Sequence, residues 1–245
     1  GNFKSYVELN RDYVSYLLIA SKKDKLEAKT WRFPIVGSFP YKGFFSEKKA
    51  LSEARKLINK DYDTYVRGVP AYSSLGWFKE PILSSMLHGT KYNLAETIFH
   101  ECFHSTVFYK NEVDKNEQLA TFFAHYIMIE FLKDLKLNEE IEKLKKAWSD
   151  QLLLSLFLKE NIKAAELKFS NNEDQKNILD QIKQNYLKDL KPNLNILNFD
   201  GIFLKDLNNA KLVAFKTYFF NFKELETELK KTHNKNIFSY LRSLK

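Results

Sequence analysis

The chain has 245 residues, 44% of them apolar and 15% aromatic, which supports a buried core and excludes a disordered polar chain. Its net charge of +8 comes from lysines interleaved with glutamates, as in "NEEIEKLKKAW", so it describes solvated helix faces and argues against nucleic acid as a partner. The longest apolar run, "LLLSLFL" at 152–158, is far short of the roughly 18 residues of a membrane-spanning helix, and the single Cys102 excludes an internal disulfide.

The sequence opens at Gly1 with no initiator methionine, which reads as a cleavage scar, with an upstream targeting or anchoring segment removed. "YVSYLLIAS" (13–21) and "FPIVGSF" (33–39) are rich in β-branched and aromatic residues and read as short strands. "SEKKALSEARKLINKDY" (46–62) repeats apolar residues at helical spacing behind Ser46, a candidate N-cap. "TYVRGVPAYSSL" (64–75) returns to extended character. Helical patterns then cover 92–109, 117–135, 138–164, 172–190 and 211–230, with one long loop around Pro192 in "KPNLNILNFDG". The fold class expected is α+β, mostly helical: one domain over 1–245, with an α/β part at 1–90 containing a small mixed sheet and a helical part at 91–245.

Within the first of those helical patterns stands His100-Glu101-Cys102-Phe103-His104. On a helix the two histidines lie about 40° apart and one turn up, close enough for both imidazoles to reach one metal ion. Glu101 is offset from them, poorly placed as a ligand and well placed as a general base. Leu94, Ala95, Ile98, Phe99, Cys102 and Phe103 fill the apolar arc, which leaves Thr97, His100, Glu101 and His104 to a cleft or to solvent. The pattern arises by chance in roughly one chain in a hundred of this length, so an exposed polar stripe stays open beside the metal reading. A third ligand is available in "NEQLATFFAHY" (116–126). With Asn116 as N-cap, Glu117 falls in a first turn whose small neighbours Ala120, Thr121 and Ala124 allow close approach to the histidine helix. A site of two histidines and one carboxylate keeps a fourth position for water and suits hydrolysis of a peptide bond. His125 reads as a packing or surface residue, and Cys102 as a packing residue.

The run "VPAYSSLGWFKEPILSSML" (69–87), followed by "LAETIFHECFH" and "NEQLATFFA", resembles the bacterial "Putative aminopeptidase" family of gluzincin-type zinc peptidases. That family's pattern is Ala-Tyr-Ser-Thr-Leu-Gly-Trp-Phe, His-Glu-x-x-His and Asn-Glu-x-x-Ala-Thr-Phe. "TWRFPIVGSFPYKGFF" (30–45) and "LNNAKL" with Tyr218 extend the resemblance over nearly the whole chain. Departures are Ser74 in place of threonine and Cys102-Phe103 in place of Leu-Ala, the bulk of Phe103 being expected to reshape the pocket floor. The resemblance implies a zincin-like fold, zinc as cofactor on His100, His104 and Glu117, Glu101 as the catalytic carboxylate, and a peptide or protein as substrate. It also implies export or lipid anchoring on the periplasmic side, through a segment that would precede Gly1. An oxyanion donor is expected from Tyr218, far downstream of the third ligand, or from Tyr72. Ala71, Tyr72 and Ser73 are candidates for a strand that pairs with substrate, against a plain core strand. Asn208 and Asn209 could bind a substrate end, or cap the helix near Lys211. Phe215, Tyr218, Phe219 and Phe222 repeat at core spacing. A catalytically silent peptide-binding or scaffolding protein on the same fold is the alternative from another class.

Overall fold

The computed structural model describes residues 3–33, 37–71 and 80–244. β2 (Ser15–Lys22) is the middle strand of its sheet, and its near-continuous apolar run is explained by burial on both faces. Leu18 and Ala20 meet Ala54 and Leu57 of α1 (Glu47–Ile58), whereas Ile19 and Leu17 face the helical layer. β2 pairs antiparallel with β5 (Tyr41–Phe44) on one side and β6 (Tyr62–Val69) on the other. Separately, β1 (Tyr6–Val7) lies parallel to β7 (Ile82–Leu83), and β3 (Trp31–Phe33) pairs with β4 (Gly37–Phe39). The expected mixed sheet is thus three small sheets, and the strand expected at 33–39 is divided between β3 and β4, which pair antiparallel with Phe33 opposite Gly37, residues 34–36 lying outside the described residues. Gly37 has φ +95°, and a Cβ there would lie 2.2 Å from the Asn111 Oδ1 that accepts from the Ser38 amide, so glycine is required where this hairpin meets the helical part.

α1 is held by Ala50, Ala54 and Leu57 at helical spacing; Ser46 stands at its N-cap, but the hydroxyl makes no capping bond. The helical part consists of α2 (Lys91–His104), α3 (Val113–Asp134), α4 (Asn138–Ser170), α5 (Gln175–Asn185), the single turn α6 (Asp200–Phe203), α7 (Asn209–Phe219), α8 (Phe222–Thr232) and α9 (Ile237–Ser243). α4 supplies Leu154, Leu158, Ile162 and Ala165 to a core shared with Ile178 and Ile182 of α5, Phe203, and Leu212 and Val213 of α7. A second core gathers Phe122, Phe123, Trp148, Phe222 and Tyr240. The pattern at 211–230 is broken at Phe220 and Asn221 into α7 and α8, and that at 172–190 passes from α5 through a π turn (Tyr186–Leu190) before Pro192. α9, β5 and the β1–β7 pair were not anticipated from the sequence. The fold is α+β and mostly helical, and among the described residues no helix is long and apolar enough to cross a membrane.

Two polar residues tie distant segments together. Asn209, a candidate for substrate binding, is fully buried, and its Nδ2 donates to the carbonyls of Lys22, Lys23 and Lys25 at 3.0, 3.0 and 3.2 Å. Its role is to seat α7 on the end of β2, away from substrate, while Asn208 caps α7 by accepting from the Lys211 amide. Asp150 is likewise fully buried, and it accepts four bonds of 2.7–2.8 Å from the amides of Asn195, Ile196 and Leu197 and the Asn195 side chain, which fixes the long loop. Burial alone would raise its pKa, but these donors outweigh it and hold the carboxyl below its ordinary value.

Asp150→Ala leaves those donors unmet and is expected to lower stability by about 3 kcal/mol in urea unfolding. Because the folded pKa is depressed, the ionised carboxylate contributes fully above the unfolded value near ~3.9 and loses that contribution as pH falls through the folded value. The stability difference between wild type and Asp150→Asn should therefore shrink on acidification below about pH 4.

Candidate metal centre and catalytic cleft

α2 begins at a reciprocal cap, the Thr90 hydroxyl accepting from the Asn93 amide at 3.2 Å and the Asn93 side chain accepting from the Thr90 amide at 2.9 Å. Its apolar residues are divided among three neighbours. Leu94 and Ile98 join Val14, Leu83 and Met86; Ala95 and Phe99 join Met128, Ile129 and Leu132; Phe103 stacks on Phe123 at 5.1 Å and 21°. Phe103 is therefore core behind the histidines and not part of the cleft floor. Cys102, expected to pack, is exposed, since the described cluster on its side of the helix reaches Ile98 and goes no further.

The turn to α3 is fastened by Asn116. It is not the N-cap, which is Glu112, but lies inside the first turn of α3 and clamps the Tyr109 backbone, accepting from its amide at 2.9 Å and donating to its carbonyl at 2.7 Å. This clamp and the small residues Ala120, Thr121 and Ala124 bring α3 against α2, with Glu117 facing the histidines.

Three ligand atoms then converge. His100 Nε2 and His104 Nε2 are 3.2 Å apart, and Glu117 Oε2 is 3.3 Å from the first and 3.8 Å from the second. Ligand atoms placed about 2.0–2.1 Å from a tetrahedral zinc stand about 3.3–3.4 Å from one another, so this donor set fits a zinc ion in size and in chemistry. Glu117 Oε1 accepts from the Tyr41 hydroxyl at 3.5 Å, which leaves Oε2 for the histidines. Burial pushes the Glu117 carboxyl up, but the His100 hydrogen bond and the charges of His104, His100 and Arg67 outweigh it and keep it ionised. At His104 burial dominates and lowers the imidazole to about 4, the neutral form that ligates metals. At His100 burial acts the same way, but the bond and charge of Glu117, with Glu101 and Glu96, leave it raised.

These groups line a cavity of about 880 Å³ between the sheet and the helical layer. Glu101 is buried in its wall, and burial raises its carboxyl to about 7, where it can both take up and return a proton near neutral pH. Tyr218 reaches the cavity from α7, as does Phe219 at the edge of the packed aromatic set, and the Arg67 guanidinium lies 4.5 Å over the Tyr218 ring. Burial first, then the charge of Glu117, raises the Tyr218 phenol and keeps it a donor. Ala71 lines the cavity just beyond β6, while Tyr72 and Ser73 lie outside the described residues. His125 is buried and stacks on Trp148 at 4.2 Å, a packing residue.

Sequence reasoning missed Tyr41, Arg67 and Glu96. Arg67 carried a faint signal as one of five arginines among 39 basic residues, set inside an apolar strand. Glu96 lies four residues before His100 and so on the same helical face. For Tyr41 there was no local signal.

No curated protein and no solved structure matches the chain. Over residues 1–245 it does match the family described as "Putative aminopeptidase", and the chain belongs to that family.

Proposed function

We propose that the protein is a zinc-dependent, gluzincin-type peptidase with His100, His104 and Glu117 as the ligands and Glu101 as the general base. The observation that carries this reading is the mutual facing of those three ligand atoms, all within 4.8 Å, on the wall of a large cavity that also holds Glu101. Bound there, zinc supplies Lewis acidity toward a water and toward the scissile carbonyl.

The remaining chemistry is assigned to the chain's own groups. Glu101 accepts the proton of the attacking water and passes it to the leaving nitrogen, for which its burial beside the histidines suits it. The Tyr218 hydroxyl donates to the carbonyl oxygen as negative charge develops, and the Arg67 cation over its ring favours that charge. Tyr41 orients the Glu117 carboxylate, the supporting contact that a metal ligand needs to keep its lone pair aimed. Phe39, Phe44, Phe45, Phe108 and Phe219 line the cavity and suit peptides with large apolar side chains.

Glu101→Gln should bind zinc as the wild type does and lose about 10²–10⁴ in kcat on a peptide library profiled by mass spectrometry. Unchanged cleavage by that variant would overturn the role given to Glu101. Zinc content by elemental analysis should be near one per chain and fall well below that in His104→Ala. Adding zinc to chelator-treated protein should raise the melting temperature of wild type and leave that of His104→Ala in place.

A further inference from the structure

Among the described residues Arg67 is the one lysine or arginine that lines the cavity. Tyr65 packs into the helical core and Val66 toward α1, so the alternation of β6 turns Arg67 to the helical side. In the register of the sheet Arg67 stands opposite Leu17, and Leu17 opposite Gly43, which leaves the row before it without a second long side chain. Its guanidinium lies 4.5 Å over the Tyr218 ring, yet its Nε is buried with no hydrogen-bond partner among the described residues. Among those residues no acid is ion-paired with it: Glu117, on which its charge acts, stands 3.3 and 3.8 Å from His100 and His104 and takes the Tyr41 hydroxyl. A partly desolvated guanidinium without an anion is costly, and its planar fork of donors fits a carboxylate.

We propose that Arg67 receives a substrate carboxylate one residue beyond the scissile bond, the free C-terminus, so that short peptides are cut at their last bond, dipeptides included. The inference rests on the peptidase reading above, in which the Tyr218 hydroxyl meets the scissile carbonyl. From that carbonyl the terminal carboxylate lies about 3.5 Å further along an extended chain, and a guanidinium–carboxylate bond spans about 2.8 Å more. The same scale is set by the 4.5 Å from the guanidinium to the Tyr218 ring centre and the half-width of that ring out to its hydroxyl. A chain longer by one residue would carry its terminus past Arg67 and leave a neutral carbonyl there. Charge then gives the preference, since a carboxylate gains more from the guanidinium than a neutral carbonyl does.

The test uses the zinc-loaded full chain and a tripeptide of large apolar residues as free acid, as C-terminal amide, and as amide with aspartate in the last position. Wild type should release the last residue of the free acid with kcat/KM about 100-fold above that of the plain amide. Arg67→Gln, with zinc content unchanged, should narrow that ratio by about 10- to 100-fold whatever it does to turnover of the amide, and Arg67→Lys should restore part of it. Equal cleavage of free acid and amide by wild type would overturn the proposal, as would cleavage confined to the first bond or a ratio undiminished in Arg67→Gln. Cleavage of the aspartate amide at the rate of the free acid would overturn the terminal assignment, since a side chain would then supply the carboxylate. Equilibrium binding of the free acid and the plain amide to Glu101→Gln, with and without Arg67→Gln, separates the two readings. Tighter binding of the free acid that depends on Arg67, without any turnover by wild type, would sink the peptidase reading and keep the anchor. Turnover by wild type with no binding preference would do the reverse.

Discussion

The site depends on how closely α2 and α3 approach. Ala120 and Ala124 leave room for the histidine helix, the Phe103–Phe123 stack closes the contact from behind, and the Asn116 clamp on Tyr109 fixes where α3 starts. A slip of one residue in either helix would move a side chain about 1.5 Å along and about 100° around the axis. The 3.2–3.8 Å separations among the ligand atoms tolerate neither. The triad is thus a consequence of packing between two apolar faces, and its precision is that of the core.

Five acids of the interior and the cavity wall fall into two groups. Asp150 accepts four bonds, Glu226 accepts from the Trp148 indole and the Tyr126 hydroxyl and pairs with Lys230, and Glu117 is held by His100 and Tyr41. In all three the partners outweigh burial, and the carboxyl stays below its ordinary value. Glu96 and Glu101 go the other way, raised by burial. Both of these line the large cavity between the sheet and the helical layer. Where the fold needs a charge it satisfies it, and where it leaves one poorly satisfied there is space for a reacting molecule.

What could be read from the chain alone follows the range of each interaction. Helical periodicity, and the pairing of His100 with His104 at one turn, are local, and both are present in the structure as α2. Glu117 was within reach because only a short turn separates the two helices. Asn209 was misread because its partners are the carbonyls of Lys22, Lys23 and Lys25, on a strand end with which it shares no local pattern. Tyr41 and Arg67 come from the sheet to a site on the helices, and a strand's alternation does not say which helix it will face. Asn116 is a residue type that caps helices, yet its side chain bonds backward to the turn, a choice set by where Tyr109 lies in three dimensions.

Gln118 links the two halves of the proposed chemistry. It follows Glu117 on α3, so about 100° of helix rotation turns it from the cavity toward α7. There its Nε2 donates to the carbonyls of Lys216 and Thr217 at 3.2 and 3.1 Å, and its Oε1 accepts from the Asn221 side chain at 2.8 Å. Those carbonyls immediately precede Tyr218. The backbone that carries the phenol is therefore pinned to the residue beside the third ligand candidate, and the residue that pins it is buried. Displacing α7 would strand these donors and acceptors, so the distance between Glu117 and Tyr218 is enforced by bonds outside the cavity. Two adjacent residues on one helix thus divide the work, one facing the reacting groups and the other holding the opposite wall at a fixed distance from them.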